Sequence, residues 1–243
     1  MISIVCVYNK RDVLDEFLIK SLKNQSTEYE LILMDNTNGK FNSAAEALNE
    51  GGSKAKGDYI MFVHQDVDLK SDAWLEEAEK MLDSLDNLGI TGVAGRSKDV
   101  ECAATNIHDG IPPGPAGTEI EKPIKAQTLD ECLLLIPRTV FNKFQFDGEV
   151  CDNWHLYAVD YSLSIEKSGY NVYVIPMFLY HQSKAYSFSP EYYVTLERLL
   201  RKHRDLKVIL TTVGDWITFI PVNLQVKFPW LKKRLVSLLK YSL

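Results

Sequence analysis

The chain has 243 residues, 46% of them hydrophobic and 25% charged, with a formal net charge of −6. That length buries a sizeable core as one α/β unit with a C-terminal extension, and the acidic balance argues against a general nucleic-acid binder. Cys6, Cys102, Cys132 and Cys151 are widely spaced with no C-x-x-C pair, which favours reduced thiols in a cytoplasmic protein over disulfides or a zinc site. The first residues run directly into a strand without the charged and apolar segments of a signal peptide. No internal repeat is visible.

Ile2 to Val7 is an apolar, β-branched strand that stops at Tyr8-Asn9. Val13, Leu14, Phe17, Leu18 and Leu22 then fall on one face of a helix. A second strand, Glu30 to Met34, runs into Asp35-Asn36-Thr37-Asn38-Gly39, and Ser43 to Gly51 reads as a small-residue helix closed by glycines. Tyr59 to Val63 is a buried strand that gives way to His64, Asp66 and Asp68 at a spacing of two. Strand, helix, strand, helix, strand predicts a parallel, right-handed half-sheet whose polar strand ends converge on one crevice. If the third strand stays extended to Leu69, side-chain alternation puts His64, Asp66 and Asp68 on one face. Carboxylates held close repel each other unless a cation lies between them, and an oxygen-rich set suits Mg²⁺ or Mn²⁺. The plain alternatives are an exposed acidic strand end here and an Asx turn at Asp35.

This ordered set resembles the family-2 glycosyltransferases of the GT-A fold. It comprises Tyr8-Asn9, Asp35-Asn36, the Ala-rich helix with Asn49 and Gly51, Ala55-Lys56-Gly57-Asp58-Tyr59-Ile60, and the acidic end. The subgroup it looks like reads His-Gln-Asp-Val, so His64 stands where most relatives have the first aspartate. The resemblance implies a Rossmann-like, mostly parallel central sheet flanked by helices. It implies that Tyr8, Asn9, Asp35 and Asn36 bind the nucleotide, with Asp35 accepting from a base, typically uracil. The metal pair is either His64 with Asp66 or Asp66 with Asp68, and two oxygen ligands suit a hard cation better. By position His181, just past the last core strand, implies a third metal ligand.

Asp72 to Leu85 reads as a helix with Ser71 as its N-cap, and Ile90 to Gly95 as a short strand. From Arg96 to Thr128 periodicity disappears; a loop this long suggests an acceptor-side lid, within which His108 and Asp109 read as exposed polar residues. Cys132 to Ile136 is a buried strand, and Asp130 and Glu131 before it are candidates for binding donor sugar or acceptor hydroxyls. Relatives carry an acidic pair at the start of a helix as catalytic base; here that pair falls on Tyr157 and Ala158. Asp160, Asp152 and His155 are the candidate bases, in that order.

The sequence divides at 187/188 into a GT-A unit, with a nucleotide half over 1–95 and an acceptor half over 96–187, and a helical extension. After Asp215 no acidic residue follows, while Lys227, Lys232, Lys233, Arg234 and Lys240 alternate with apolar residues. A basic amphipathic segment with Trp at its edge suits the inner face of a membrane; docking on the catalytic unit or on a second copy in a homodimer is the other reading. The expectation is a metal-dependent, inverting transfer from a nucleotide-sugar, most simply a UDP-sugar, to a saccharide or lipid-linked saccharide. The setting implied is bacterial surface polysaccharide assembly. A nucleotide-sugar-binding scaffold is the alternative. A sugar-1-phosphate nucleotidyltransferase fits less well, because Tyr8-Asn9-Lys10-Arg11-Asp12 has no glycine.

Overall fold

A computed structural model describes residues 1–182 and 188–240. The boundary drawn at 187 lies outside the described residues. Strands β1 (Ile2–Tyr8), β2 (Tyr29–Asp35) and β3 (Tyr59–Val63) are mutually parallel, with β1 in the middle. The seven-stranded sheet continues from β3 to the antiparallel strand Leu133–Pro137. Beyond it come β5 (Leu88–Gly92), the parallel strand Asn171–Val174, and the antiparallel edge Ile124–Lys125. Five of the seven strands therefore point the same way, and their carboxyl ends face one side, where open α/β sheets hold ligands.

Local chemistry sets these elements. The first helix is continuous from Arg11 to Leu22 with a π-helical turn at Asp15–Ile19, and it buries Leu14, Leu18 and Leu22 against the sheet. Helix Ala44–Gly52 opens on a reciprocal cap: Ser43 Oγ accepts from the Glu46 amide while the Glu46 carboxylate accepts from the Asn42 amide. It rides close on β1, since a Cβ on Gly51 would stand 2.5 Å from Val5 Cγ1. Helix Trp74–Asp83 starts later than Ser71, whose Oγ instead accepts from the Ala73 amide in the preceding turn.

Two departures from the sequence reading matter. The third strand does not stay extended: the chain turns at Gln65–Asp66 before the short β4 (Val67–Asp68). The segment beyond 188 is only partly helical. Helix Pro190–Lys202 is followed by a hairpin of Val208–Ile209 and Trp216–Ile217, then by helices Val222–Lys227 and Pro229–Lys240. It packs directly on the main unit, with Tyr192, Leu196, Leu199 and Trp216 in one apolar cluster with Leu156, Val159 and Leu163.

Candidate active site

Two cavities meet at one cluster of side chains. The larger, of about 350 Å³, lies over the carboxyl ends of β1 and β3. Its floor is apolar, formed by Val7, Leu48, Phe62 and Val63, and its walls carry Tyr8, Trp154 and Tyr157. Asn9, Asn36, His64, Gln65 and Asp66 supply the polar part of the lining. Gln65 joins the ends of β1 and β3: its Oε1 accepts from the Asn9 and Lys10 amides at 3.1 and 3.0 Å, and its Nε2 donates to Asn9 Oδ1 at 2.8 Å. Asn36 holds the loop after β2, accepting from the Phe41 amide at 2.8 Å.

At the end of this slot His64, Asp66 and His181 each place a ligand atom within 4.8 Å of the others. His181 sits on strand Leu179–His181, beside Val67 of β4 on one side and Asp109 on the other. Its Nε2 is shut off from solvent, lies 3.3 Å from Asp66 Oδ1, and is aligned with no hydrogen-bond partner. Burial and the nearby His181 keep the His64 imidazole below its usual range, in the neutral form a metal ligand needs. Burial opposes ionisation of Asp66, but the contact with His181 and its charge win, and its carboxyl is held low. Two imidazole nitrogens and an ionised carboxylate within 4.8 Å of one another fit a divalent cation, and the mixed nitrogen and oxygen set suits Mn²⁺ better than Mg²⁺.

The structure does not bring Asp68 to this cluster. The turn at Gln65–Asp66 breaks the alternation that would have aligned it, and Asp68 instead meets Lys70 Nζ at 2.7 Å. Of the two metal pairs open in the sequence, it is His64 with Asp66 that converges. Asp35 is exposed and outside the cavity lining. Its Oδ1 accepts from the Thr37 amide and hydroxyl, the Asx turn, and these contacts with the Tyr8 hydroxyl hold its carboxyl low.

None of the three candidate bases lines either cavity. Asp160 is 2% exposed and is clamped by Lys202 Nζ at 2.7 Å and His203 Nε2 at 2.8 Å, both from the extension. Asp152 pairs with Arg198, and His155 Nε2 lies 3.2 Å from Ser189 Oγ. All three are turned toward helix Pro190–Lys202 rather than the crevice. Asp160→Ala would leave Lys202 and His203 facing a buried gap, so it is expected to lower stability by about 3 kcal/mol. Nucleotide binding by the folded fraction should be kept. Thermal unfolding beside a binding isotherm checks both.

The second cavity, of about 70 Å³, is lined by Asp109, Asp130, His181 and Thr212 among others, so His181 faces it while His64 and Asp66 line the first. Asp130 is held by the Cys132 amide and by the Thr212 hydroxyl at 2.7 Å. Asp109 stands beside His181 on the neighbouring strand. Glu131 lines neither cavity. Its Oε1 is sealed without a partner, and burial, with the charge of Asp130, pushes its carboxyl up to about 8 despite help from the Leu156, Tyr157 and Ala158 amides. An acid raised on folding holds its proton better in the folded state, so its cost begins above the unfolded value and is complete once pH passes about 8. Glu131→Gln should therefore raise stability by roughly 2 to 4 kcal/mol at pH 9 and change it little at pH 4. Denaturant unfolding at the two pH values tests the sign.

The sequence reading gave no place in the site to Trp154, Tyr157 or Asp109, which line the two cavities. Trp154 carried a signal, a large aromatic side chain in the polar run Asp152 to His155 that remains 40% exposed at the cavity wall.

Comparison with known proteins follows the same geometry. The model of a "Glycosyltransferase like family" matches residues 2–108, less than half of the chain. A mannosyltransferase of Pyrobaculum calidifontis in complex with GDP-Man and Mn²⁺ superposes with a TM-score of 0.57 at 13% identity, covering 84% of this chain and 64% of that one. The fold is GT-A. GalNAc-T7 with UDP, GalNAc and Mn²⁺ gives the same GT-A likeness, with a TM-score of 0.57 at 15% identity over 83% of this chain and 47% of that one. TarS 1–349 of S. aureus in complex with UDP-GlcNAc has a TM-score of 0.56 at 14% identity over 83% and 66%. A curated relative, "ATP synthase subunits region ORF 6" of Fuscovulum blasticum, is 29% identical over 143 residues, 54% of this chain and 54% of its own length. The chain thus spans about half of that relative, and the GT-A likeness carries the sheet and its crevice.

Proposed function

We propose that this chain is a metal-dependent, inverting glycosyltransferase. It would move a sugar from a nucleotide-sugar, a UDP-sugar on the sequence reading, to a hydroxyl of a saccharide or lipid-linked saccharide in bacterial surface polysaccharide assembly. The observation that carries this reading is the aromatic slot that ends in His64, Asp66 and His181 at the strand ends. The match of residues 2–108 and the sugar nucleotides in the structural neighbours support it.

Tyr8, Trp154 and Tyr157 over the Leu48–Phe62 floor suit a planar base, and Asn9 and Asn36 offer it hydrogen bonds. His64, Asp66 and His181 would hold a divalent cation, which supplies neutralisation of the leaving diphosphate. The acceptor enters the second cavity, where Asp130 and Thr212 bind its hydroxyls. Asp109, which the sequence reading left among the loop polar residues, takes the proton of the attacking hydroxyl. The acceptor oxygen bonds to the anomeric carbon from the face opposite the diphosphate, and the bond from that carbon to the diphosphate breaks.

Calorimetric titration of UDP, GDP and dTDP, each with Mn²⁺ and with EDTA, tests the donor site. Metal-dependent binding of one nucleotide supports the reading, and binding of none removes it. Because Tyr157 and Ala158 stand where relatives carry acids, a scaffold that binds the donor without turnover is the second reading. Donor hydrolysis or transfer measured beside the titration separates the two.

A further inference from the structure

The face built by the last two helices carries a surface that neither cavity explains. Among the described residues, exposed large apolar side chains crowd here: Phe219, Leu224, Phe228, Trp230, Leu231 and Leu238, with Trp230 67% exposed. The helices that present them are firmly seated. Gln225 locks helix Val222–Lys227 to the hairpin, accepting from the Ile217 amide at 2.9 Å and donating to the carbonyls of Ile217 and Ile220. Helix Pro229–Lys240 turns Val236 inward, with Leu235 and Leu239, onto Val208, Leu210 and Ile217. Lys232 also faces inward, with its ammonium 3.8 Å from the centre of the Trp216 ring.

What remains outward is one stripe: Leu231, Arg234 and Leu238 at a spacing of three and four, flanked by Trp230 and Lys233, with Lys227 and Phe228 just before it. The inner face is already satisfied by the hairpin, and among the described residues nothing covers the outer apolar side chains of Phe219, Trp230 and Leu231. Charge selects the partner. From Trp216 to the end every ionisable side chain of acid or base type is cationic except the tyrosine, in a chain whose net charge is −6. An acidic body with a cationic, aromatic-edged apolar face has the signature of an interfacial segment lying in an anionic surface. No helix among the described residues is long and apolar enough to cross a membrane, so the contact is with the surface.

We propose that Phe219, Phe228, Trp230, Leu231 and Leu238, with Lys227 and Arg234, seat this protein on an anionic lipid bilayer. The seating goes beyond the transfer reaction and does not depend on it. A second copy of the chain would bury the same apolar residues, but it would set two identical cationic faces against each other.

Flotation of the full chain with phosphatidylcholine vesicles, with and without phosphatidylglycerol, tests this. The expected result is co-flotation with the anionic vesicles alone, weakened by salt. Lys227→Glu and Arg234→Glu should each cost about fivefold or more in binding. Trp230→Ser combined with Leu238→Ser should abolish it while the thermal transition stays in place. Failure of the wild-type chain to float at low salt overturns the proposal, as does equal flotation of all variants. A dimer in sedimentation velocity that the serine variant converts to monomer, with no vesicle binding, would assign the face to a second copy instead. No outcome reads sugar transfer, so loss of the catalytic reading would leave this result intact.

Discussion

Asp66→Ala is expected to remove metal-dependent nucleotide binding, by at least about a hundredfold in affinity, and transfer with it. Asp66 is the one carboxylate of the convergent cluster, and both imidazoles lean on its charge. Without it two neutral or mutually repelling nitrogens remain, a poor site for a hard cation. The variant also has a pH signature in the metal-free protein. Asp66 titrates below its ordinary value in the fold, so its contribution to stability is present above the unfolded carboxylate range and lost as pH falls through the lowered value. The alanine protein should therefore unfold earlier than wild type at pH 7 and converge with it in acid. Retention of Mn²⁺-dependent UDP, GDP or dTDP binding by the variant would move the metal elsewhere. Asp68→Ala, which loses only the contact to Lys70, is the matched control and should bind normally.

Asp109→Asn should lower kcat by about 10² to 10⁴ while leaving nucleotide affinity unchanged. The amide keeps the shape of the second cavity and its place beside His181, but it cannot accept a proton. A general base acts only while ionised, so the fall in rate on the acidic side of the pH profile should disappear in the variant. Single-turnover transfer against pH, beside a nucleotide isotherm, reads both. A loss below tenfold with the profile intact would reassign the proton to Asp130, the other carboxylate of that cavity.

Much of this molecule is written in local pattern. The three leading strands, the capped small-residue helix and the polar strand ends all follow from alternation and turn chemistry, and they position the crevice. What the pattern hides is where the chain bends and what comes to meet it. Asp68 looked equivalent to Asp66 because alternation was carried through a turn that Gln65 makes by reaching back to Asn9 and Lys10, 56 and 55 residues away in sequence. Asp160 looked free because nothing near it in the chain announces Lys202 and His203, which clamp it from more than forty residues further on. Asp109 read as an exposed loop residue for the opposite reason. The aperiodic stretch around it gains its register from pairing with the strand that bears His181 on one side and with Gly114–Pro115 on the other.

The hairpin between the extension's helices carries one more consequence. Thr212 and Val213 form part of the wall of the second cavity, and Asp215 accepts from buried Arg96 at 3.2 Å. The segment that presents the cationic face is thus also masonry for the second cavity. A surface segment that could be clipped off or traded for another would leave the remaining protein intact; this one cannot. Shortening the chain before residue 208 would unroof the second cavity, so that the cationic outer face and a wall of that pocket are inherited together.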